Sequence, residues 1–234
     1  MVLFGEQAML VRDRMTLHPI IVSPETTHKQ AAELMREHKV HHLPVLDKRG
    51  NLVGIVVEQD LLAAQPSPAT TLSTYEIHGL LSKLEIRQIM SHPVFTTTVD
   101  CPLEEAARLM FDKSVGCLPV MENGQVVGMI TDTDIFESLV MLLGGGQEGA
   151  RFTLHLPDRP GMLARVAQAV ADAGGNIISV TTWQSKDDGK AYITIKEGGA
   201  DFARLKQALD ALEETELVDL REKPACVQQQ FGQT

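Results

Sequence analysis

Laid over itself with a shift of 75 residues, the first two thirds of this chain repeats. Met15 falls on Met90, Ala31-Ala32 on Ala106-Ala107, Leu34-Met35 on Leu109-Met110 and Leu43-Pro44-Val45 on Leu118-Pro119-Val120. One residue is lost at the Lys48-Arg49-Gly50 turn, after which a shift of 74 pairs Val53-Gly54 with Val127-Gly128 and Asp60 with Asp134. Self-similarity of this kind means two copies of one supersecondary unit. Each copy reads β-α-β-β-α: a short strand (20–22; 94–98) and a helix with Ala31, Leu34, Met35 or Ala106, Leu109, Met110 on one face. A hairpin (43–46 with 52–57; 118–121 with 126–130) and a second helix (60–64; 134–143) complete it. A unit of about 55 residues is too small to bury its own faces well. The copies are therefore expected to pack on each other.

The 234 residues exceed one average domain of roughly 150, so more structure follows the repeat. Apolar residues make up 44%, close to the roughly 45–50% of ordinary globular domains, so a core forms without disulfides. Lys and Arg number 21 against 31 Asp and Glu, a net charge of −10. Long-range repulsion then argues against phosphate backbones and anionic headgroups, so neither nucleic acid nor membrane is expected as a partner. Cys101, Cys117 and Cys226 are far apart with no CxxC pair, which fits a reducing cytoplasm. No apolar run approaches the ~20 residues of a membrane span, and residues 1–8 read as an extension.

Equivalent motifs stand in the two copies: His41-His-Leu-Pro-Val45 with Gly54-Ile-Val-Val-Glu-Gln-Asp60, and Gly116-Cys-Leu-Pro-Val120 with Gly128-Met-Ile-Thr-Asp-Thr-Asp134. They resemble the CBS domain, and two in tandem resemble a Bateman module, over residues 10–143. The first domain is then 9–64 and the second 85–143. Residues 65–84 form a linker, its 65–71 turn-rich and its 72–84 carrying Leu72, Ile77, Leu80, Leu81 and Leu84 as an amphipathic helix.

Gly144-Gly-Gly-Gln-Glu-Gly149 lacks the strand-before, helix-after context of a phosphate loop, so 144–150 reads as a hinge. Residues 151–222 then run β-α-β-β-α-β, a ferredoxin-like order. Strands fall at 151–156, 176–184, 191–196 and 216–220, with a hairpin signal at Asp188-Gly189. Leu163, Val166, Ala167, Val170 and Ala171 make one helical face, and Phe202, Leu205, Leu209 and Leu212 another. Asp158-Arg-Pro-Gly-Met-Leu163 followed by Gly175-Asn-Ile177 is similar to the ACT domain signature. That resemblance implies an amino acid or other small effector where the first turn meets a partner's sheet, with Asp158, Gly161, Asn176 and Ile177 as its residues. The residues alone equally allow Gly161 to permit a close turn and Asn176 to start a strand. Residues 223–234 are polar and without periodicity, the composition of a disordered tail. The fold class is thus α/β and α+β, a tandem CBS repeat followed by a ferredoxin-like ACT domain. That architecture resembles AcuB-type accessory proteins of acetoin utilisation.

In Thr131-Asp-Thr-Asp134, hydroxyls and backbone N–H groups meet where a strand turns into a helix, a geometry suited to phosphate; capping of that helix would explain the same residue types. The resemblance implies an adenosine-containing ligand (AMP, ATP, NAD or S-adenosylmethionine). Thr131 and Thr133 would lie near phosphate or ribose, Asp134 would accept from the ribose diol, and backbone around Pro93-Val94 and Pro19-Ile20 would read the adenine edge. Copy one keeps Asp60 but has Val57 and Gln59 in place of the threonines. None of the ten aromatic residues sits in these motifs, so adenine is expected among aliphatic groups. His41 and His42, just before Leu-Pro-Val, are candidate phosphate donors in the same resemblance. His38, His41 and His42 read otherwise as a partly solvated helix end, and Asp132 with Asp134 could chelate Mg²⁺ only with a third ligand. No metal is assigned.

With no Walker A, GxSxG or Cys/His nucleophile pair in the sequence, the resemblance implies a cytoplasmic regulatory protein and no enzyme. It implies a homodimer too, since a lone ferredoxin-like sheet leaves edge strands unpaired, and an unidentified protein regulated by ligand occupancy. The alternatives are a metal-assisted nucleotide hydrolase built on Asp132, Asp134 and the histidine cluster, and a ligand-free assembly scaffold.

Overall fold

Two short lead-in segments decide how the repeat assembles. In the computed structural model, which describes residues 9–66, 73–186 and 189–222, the 3₁₀ turn Val11–Asp13 precedes β1 (Thr16–Leu17), α1 (His28–His38), β2 (His42–Leu46), β3 (Leu52–Val57) and α2 (Glu58–Ala63). After α3 (Thr74–Leu81), copy two repeats the order: the 3₁₀ turn Ile86–Gln88, β4 (Thr97–Thr98), α4 (Leu103–Lys113), β5 (Cys117–Glu122), β6 (Gln125–Thr131) and α5 (Asp132–Leu142). Val11 is fully buried in the core of copy two, with Leu103, Ala106, Leu118 and Ile130. Its repeat equivalent Ile86 is fully buried in the core of copy one, with Ala31, Leu43, Val56 and Leu61.

The backbone exchange is equally reciprocal. Thr16 pairs with Met129 of β6, and the equivalent Ser91 bridges Ile55 of β3, both antiparallel. A four-stranded sheet β1-β6-β5-β4 results, beside the two-stranded sheet β2-β3. Each small copy thus borrows an apolar plug and a strand segment from the other, the remedy for a unit whose faces exceed its own core. Ile55, Cys117 and Met129 form the seam between copies. The first strand of each copy is shorter than the 20–22 and 94–98 read from sequence: Val22 makes one parallel bridge to Val45, and only Thr97–Thr98 pair with β5. Pro19 and Pro93 stand beside those segments without an N–H to lend a ladder.

Both first helices end the same way. Thr27 Oγ1 accepts from the Gln30 N–H (3.3 Å) and Gln30 Oε1 from the Thr27 N–H (2.9 Å), a reciprocal box that starts α1. α1 closes on Lys39 at φ 55° and α4 on its equivalent Ser114 at φ 52°. Non-glycine residues adopt this left-handed conformation at a cost of about 1–2 kcal/mol. It turns the chain sharply into β2 and β5 and hands the following residues to the clefts described below.

The chain divides into two compact units between Phe136 and Glu137, within α5. In the second unit β7 (Arg151–Pro157), α6 (Met162–Asp172), β8 (Asn176–Gln184), β9 (Lys190–Gly198), α7 (Phe202–Asp210) and β10 (Glu216–Arg221) give an antiparallel sheet ordered β10-β7-β9-β8. Phe152, Leu154, Leu156, Ile193 and Ile195 alternate onto the face that packs against Val166 and Val170 of α6 and Leu205 and Leu209 of α7. The glycine run belongs to this unit. A Cβ on Gly144 would lie 2.7 Å from Ile178 Cγ2, and Ser179 Oγ donates to the Leu143 carbonyl (3.2 Å). Thus the division lies ahead of residues 144–150, and that segment is pinned to β8 and β9. Residues 1–8, 67–72, 187–188 and 223–234, with the extension, most of the turn-rich linker, Leu72, Asp188, Cys226 and the polar tail, lie outside the described residues.

Candidate functional site

The crossed assembly makes two clefts in the first unit, each with walls from both copies. Cavity I, about 550 Å³, lies between the lead-in of copy one (His18, Pro19, Ile20), the end of α1 (His38, Lys39) and the β6–α5 junction of copy two (Thr131, Thr133). Cavity II, about 690 Å³, lies between the lead-in of copy two (Pro93, Val94, Phe95), residues 114–117 and the β3–α2 junction of copy one (Val57 to Asp60), with Asp132 beside them. Both volumes suit a nucleotide-sized ligand. His41 and His42 line both.

At the β6–α5 junction, Asp134 Oδ2 accepts from the Thr131 N–H and from Thr131 Oγ1, each at 2.7 Å. Asp134 thereby caps the first turn of α5, and it is not among the residues lining cavity I. The Thr131 hydroxyl proton is spent inward on that carboxylate. Thr133 Oγ1, whose nearest acceptor is Asp132 Oδ1 at 3.4 Å, is the hydroxyl turned to the cavity's use. At the equivalent junction of copy one, Asp60 Oδ2 accepts from the Val57 N–H at 2.9 Å, and Val57 has no hydroxyl to add.

The sequence-derived set is therefore split. Thr131 and Thr133 share cavity I with Pro19 and Ile20, whereas Pro93, Val94 and Asp60 share cavity II. Pro93-Val94 does not meet the threonines of its own copy, because the exchanged lead-in carries it across to copy one. Phe95 lines cavity II under Lys113, whose Nζ is 5.2 Å from the ring centroid, so aliphatic groups alone do not make that wall. Lys39, His18 and His92 join the clefts from outside the repeat motifs, and Glu58 from within the Gly54–Asp60 motif. Only the αL turns and the crossing bring them in, and neither has a motif.

The electrostatics of the two clefts differ. His41 Nδ1 stands 2.7 Å from Glu58 Oε2 on an exposed pair. Burial lowers the His42 pKa from its ordinary 6.5, with Asp132 opposing the shift and His41 adding to it. Burial, then the charges of Asp132 and Asp60, pushes the Cys117 thiol up to about 12, so it is an inert core group. For the hydrolase alternative, no group of three or more His, Cys, Asp or Glu is placed to hold a metal ion among the described residues. No helix there is long and apolar enough to cross a membrane.

A depressed His42 sets a pH window. Above 6.5 the ring is neutral folded or unfolded; below it the unfolded chain takes up a proton first, so stability falls as pH drops toward the lowered folded value. Acid unfolding of wild type between pH 7.5 and 5.5 should therefore be steeper than that of His42→Gln. Equal slopes would remove His42 from this account. A bound phosphate would raise the His42 pKa, so the His42 contribution to binding grows as pH falls below 6.5, a lower window than the pH 6 to 8 of an unperturbed histidine, and the phosphate's own second pKa of about 6 opposes it.

In the second unit, Asp158 Oδ2 accepts from Gln184 Nε2 (2.9 Å), and Gly161 at φ 91° precedes α6. Asn176 pairs with Gly198 and Ile177 with Glu197, at the opposite end of β8 from Gln184. Eight residues of strand, on the order of 26 Å, separate the two pairs. One chain does not bring them together.

A CBS domain model matches residues 11–67 and 86–141, and an ACT domain model residues 151–214. A CBS domain-containing protein of Dictyostelium discoideum is 32% identical over 136 residues, 58% of this chain and 94% of that protein. The chain belongs to the CBS domain-containing proteins. Its CBS pair is followed by a C-terminal ACT domain. A crystal structure of a provisionally assigned acetoin utilization protein (AcuB) from Vibrio cholerae is 32% identical, covering 59% of this chain and 95% of that one, with a TM-score of 0.49. That of CBSX2, a protein of Arabidopsis thaliana, in complex with AMP is 31% identical, covering 56% and 96%, with a TM-score of 0.45.

Proposed function

We propose that this is a regulatory protein whose CBS pair senses an adenosine-containing ligand, with AMP or another phosphorylated nucleotide seated in cavity I. One observation carries the reading. Cavity I combines nucleotide-sized space with the Thr133 hydroxyl, the start of α5, Lys39 and four histidines, and has no carboxylate among its lining residues. Backbone N–H groups at a helix start and cationic side chains are what a phosphate requires. Pro19 and Ile20 flank the base in this reading.

The ACT unit takes an amino acid or other small effector between Asp158 and Gly161 of one chain and Asn176 and Ile177 of a second. The working form is accordingly a homodimer, and occupancy changes the affinity for a regulated protein partner. The reading assigns the protein to the cytoplasm and to carbon metabolism such as acetoin utilisation, and gives it no catalytic step. A thermal-shift panel of AMP, ATP, NAD, S-adenosylmethionine and amino acids tests it, with light scattering on the same samples to read a mass near twice 25.6 kDa. AMP should raise the unfolding temperature and be recovered unchanged. Nucleotide turnover abolished by EDTA, or no shift with any member, would overturn the reading.

A further inference from the structure

A buried histidine stands in copy one where the repeat puts a leucine in copy two. His28, the first residue of α1, is only 3% exposed, and the equivalent Leu103 is a core residue. One of its ring nitrogens is explained by α2. That helix stops at Ala63, and the Gln65 N–H that would have closed on the Leu61 carbonyl goes to Leu62 instead. His28 Nε2 donates to the Leu61 carbonyl at 2.8 Å in its place. Helix α5, the equivalent of α2, runs on to Leu142, so copy two needs no such donor. The other nitrogen takes no part in this. A carbonyl only accepts, so Nε2 carries the hydrogen and Nδ1 of the neutral ring is an acceptor. Nδ1 has no partner among the described residues and keeps accessible surface.

The ring lines a third cavity of the first unit, about 280 Å³, to which α1 also gives Lys29, Ala32, Glu33 and Arg36 and α3 gives Leu81. Lys29 and Glu33 pair with each other at 3.9 Å, whereas the exposed Arg36 makes no ion pair among the described residues. Arg36 lies two turns beyond His28, about 12 Å of rise, and helical side chains lean toward the N-terminus, so its guanidinium reaches back along the cavity. Copy two has Leu103 and Phe111 at the places of His28 and Arg36. Neither the acceptor nor the cation is repeated there. We propose that this cavity, separate from the two nucleotide-sized clefts, binds a small carboxylic acid that bears a hydroxyl group. The hydroxyl donates to His28 Nδ1, the carboxylate takes the two-pronged guanidinium of Arg36, and the short carbon chain between them lies against Ala32 and Leu81. The volume suits a molecule of a few carbons and is too small for a nucleotide.

Amide NMR titration of the full chain with three probes separates the two groups of the ligand: 3-hydroxybutyrate carries both, butyrate lacks the hydroxyl, and 1,3-butanediol lacks the carboxylate. 3-Hydroxybutyrate should give saturable shifts centred on residues 28–36 and Leu81, and should bind at least tenfold more tightly than either other probe, because a site that accepts from a hydroxyl rejects the analogue without it. His28→Leu introduces the residue that the repeat itself holds at 103, and should bring 3-hydroxybutyrate down to the affinity of butyrate while butyrate binds as before. Arg36→Gln, an exposed change, should weaken both acids alike and leave the diol unchanged, and it decides the matter should His28→Leu not fold. Equal affinity for 3-hydroxybutyrate and butyrate, a preference that survives in His28→Leu, acids untouched by Arg36→Gln, or shifts that never saturate would each overturn the proposal. AMP titrated into the same samples tests the sensing role separately, since none of these residues lines cavity I or cavity II.

Discussion

Titration with AMP should show one dominant site per chain, and Thr133→Val should weaken it by about 10- to 150-fold. The range follows from roughly 1.5–3 kcal/mol for a hydrogen bond to a charged group. Thr133 is the residue to change because its hydroxyl lines cavity I and makes only a 3.4 Å approach to Asp132. Thr131→Val removes a hydroxyl already donated to Asp134 at 2.7 Å, and Asp134→Ala removes the cap itself, worth about 1 kcal/mol of helix stability. Both act on AMP through the start of α5. Asp60→Ala touches only cavity II and should leave AMP binding nearly unchanged. Isothermal calorimetry on the four variants reads the order. A silent Thr133→Val beside a damaging Asp60→Ala would move the phosphate site to the other cleft. Gain of function discriminates further: Val57→Thr should not create a second AMP site, since Glu58, Asp60 and Asp132 remain in that lining.

What the sequence disclosed and what it hid divide along one line. The repeat shift, the Leu-Pro-Val strands and the hairpins are local patterns, and β2 with β3 and β5 with β6 pair antiparallel as runs joined by a Gly turn require. The helix faces at Ala31 and Met35, and at Ala106 and Met110, are buried as their spacing requires. The exchange of lead-ins is not local. Val11 would suit either core, and a repeat makes both cores look alike, so nothing in the pattern says that Val11 plugs copy two and Ile86 copy one. That crossing is what separates Pro93-Val94 from Thr131 and Thr133. Lys39 is hidden for a related reason: its place in cavity I comes from a left-handed backbone at φ 55°, which no lysine announces. Asp134 was legible as a residue type but not as a role, because capping and ribose binding call for the same carboxylate, and only the 2.7 Å bonds from Thr131 show the cap.

Gly149→Ala should be the most damaging glycine-to-alanine substitution in the second unit. Gly149 has φ 130°, and a Cβ there would lie 1.9 Å from the Glu197 carbonyl oxygen and 2.9 Å from its carbon. The obstacle is backbone, so no rotamer relieves it. Relief would pull the segment away from β9 and stretch the Glu197 N–H to Ala150 carbonyl bond (2.9 Å). It would also stretch the bond from the Ala150 N–H to the carboxylate of Glu197 (3.1 Å), a group only 2% exposed. Overpacking costs about 1–3 kcal/mol and forbidden backbone geometry a similar amount, so the sum is on the order of 3 kcal/mol. For a domain of this size each kcal/mol lowers Tm by about 4–8 °C, giving a fall of roughly 12–24 °C. Gly146→Ala is the control: its φ is 80°, yet nothing lies within 4 Å of its Cβ, so only the backbone cost of about 1–2 kcal/mol remains. Differential scanning calorimetry with and without AMP should show the second unit melting early in Gly149→Ala while the AMP-dependent stabilisation of the CBS pair persists, because the division between units falls at Phe136 and Glu137. A Gly149→Ala protein that melts like Gly146→Ala would mean that this segment does not lie against β9. Loss of the AMP response together with the second unit would mean that the CBS pair does not hold its fold alone.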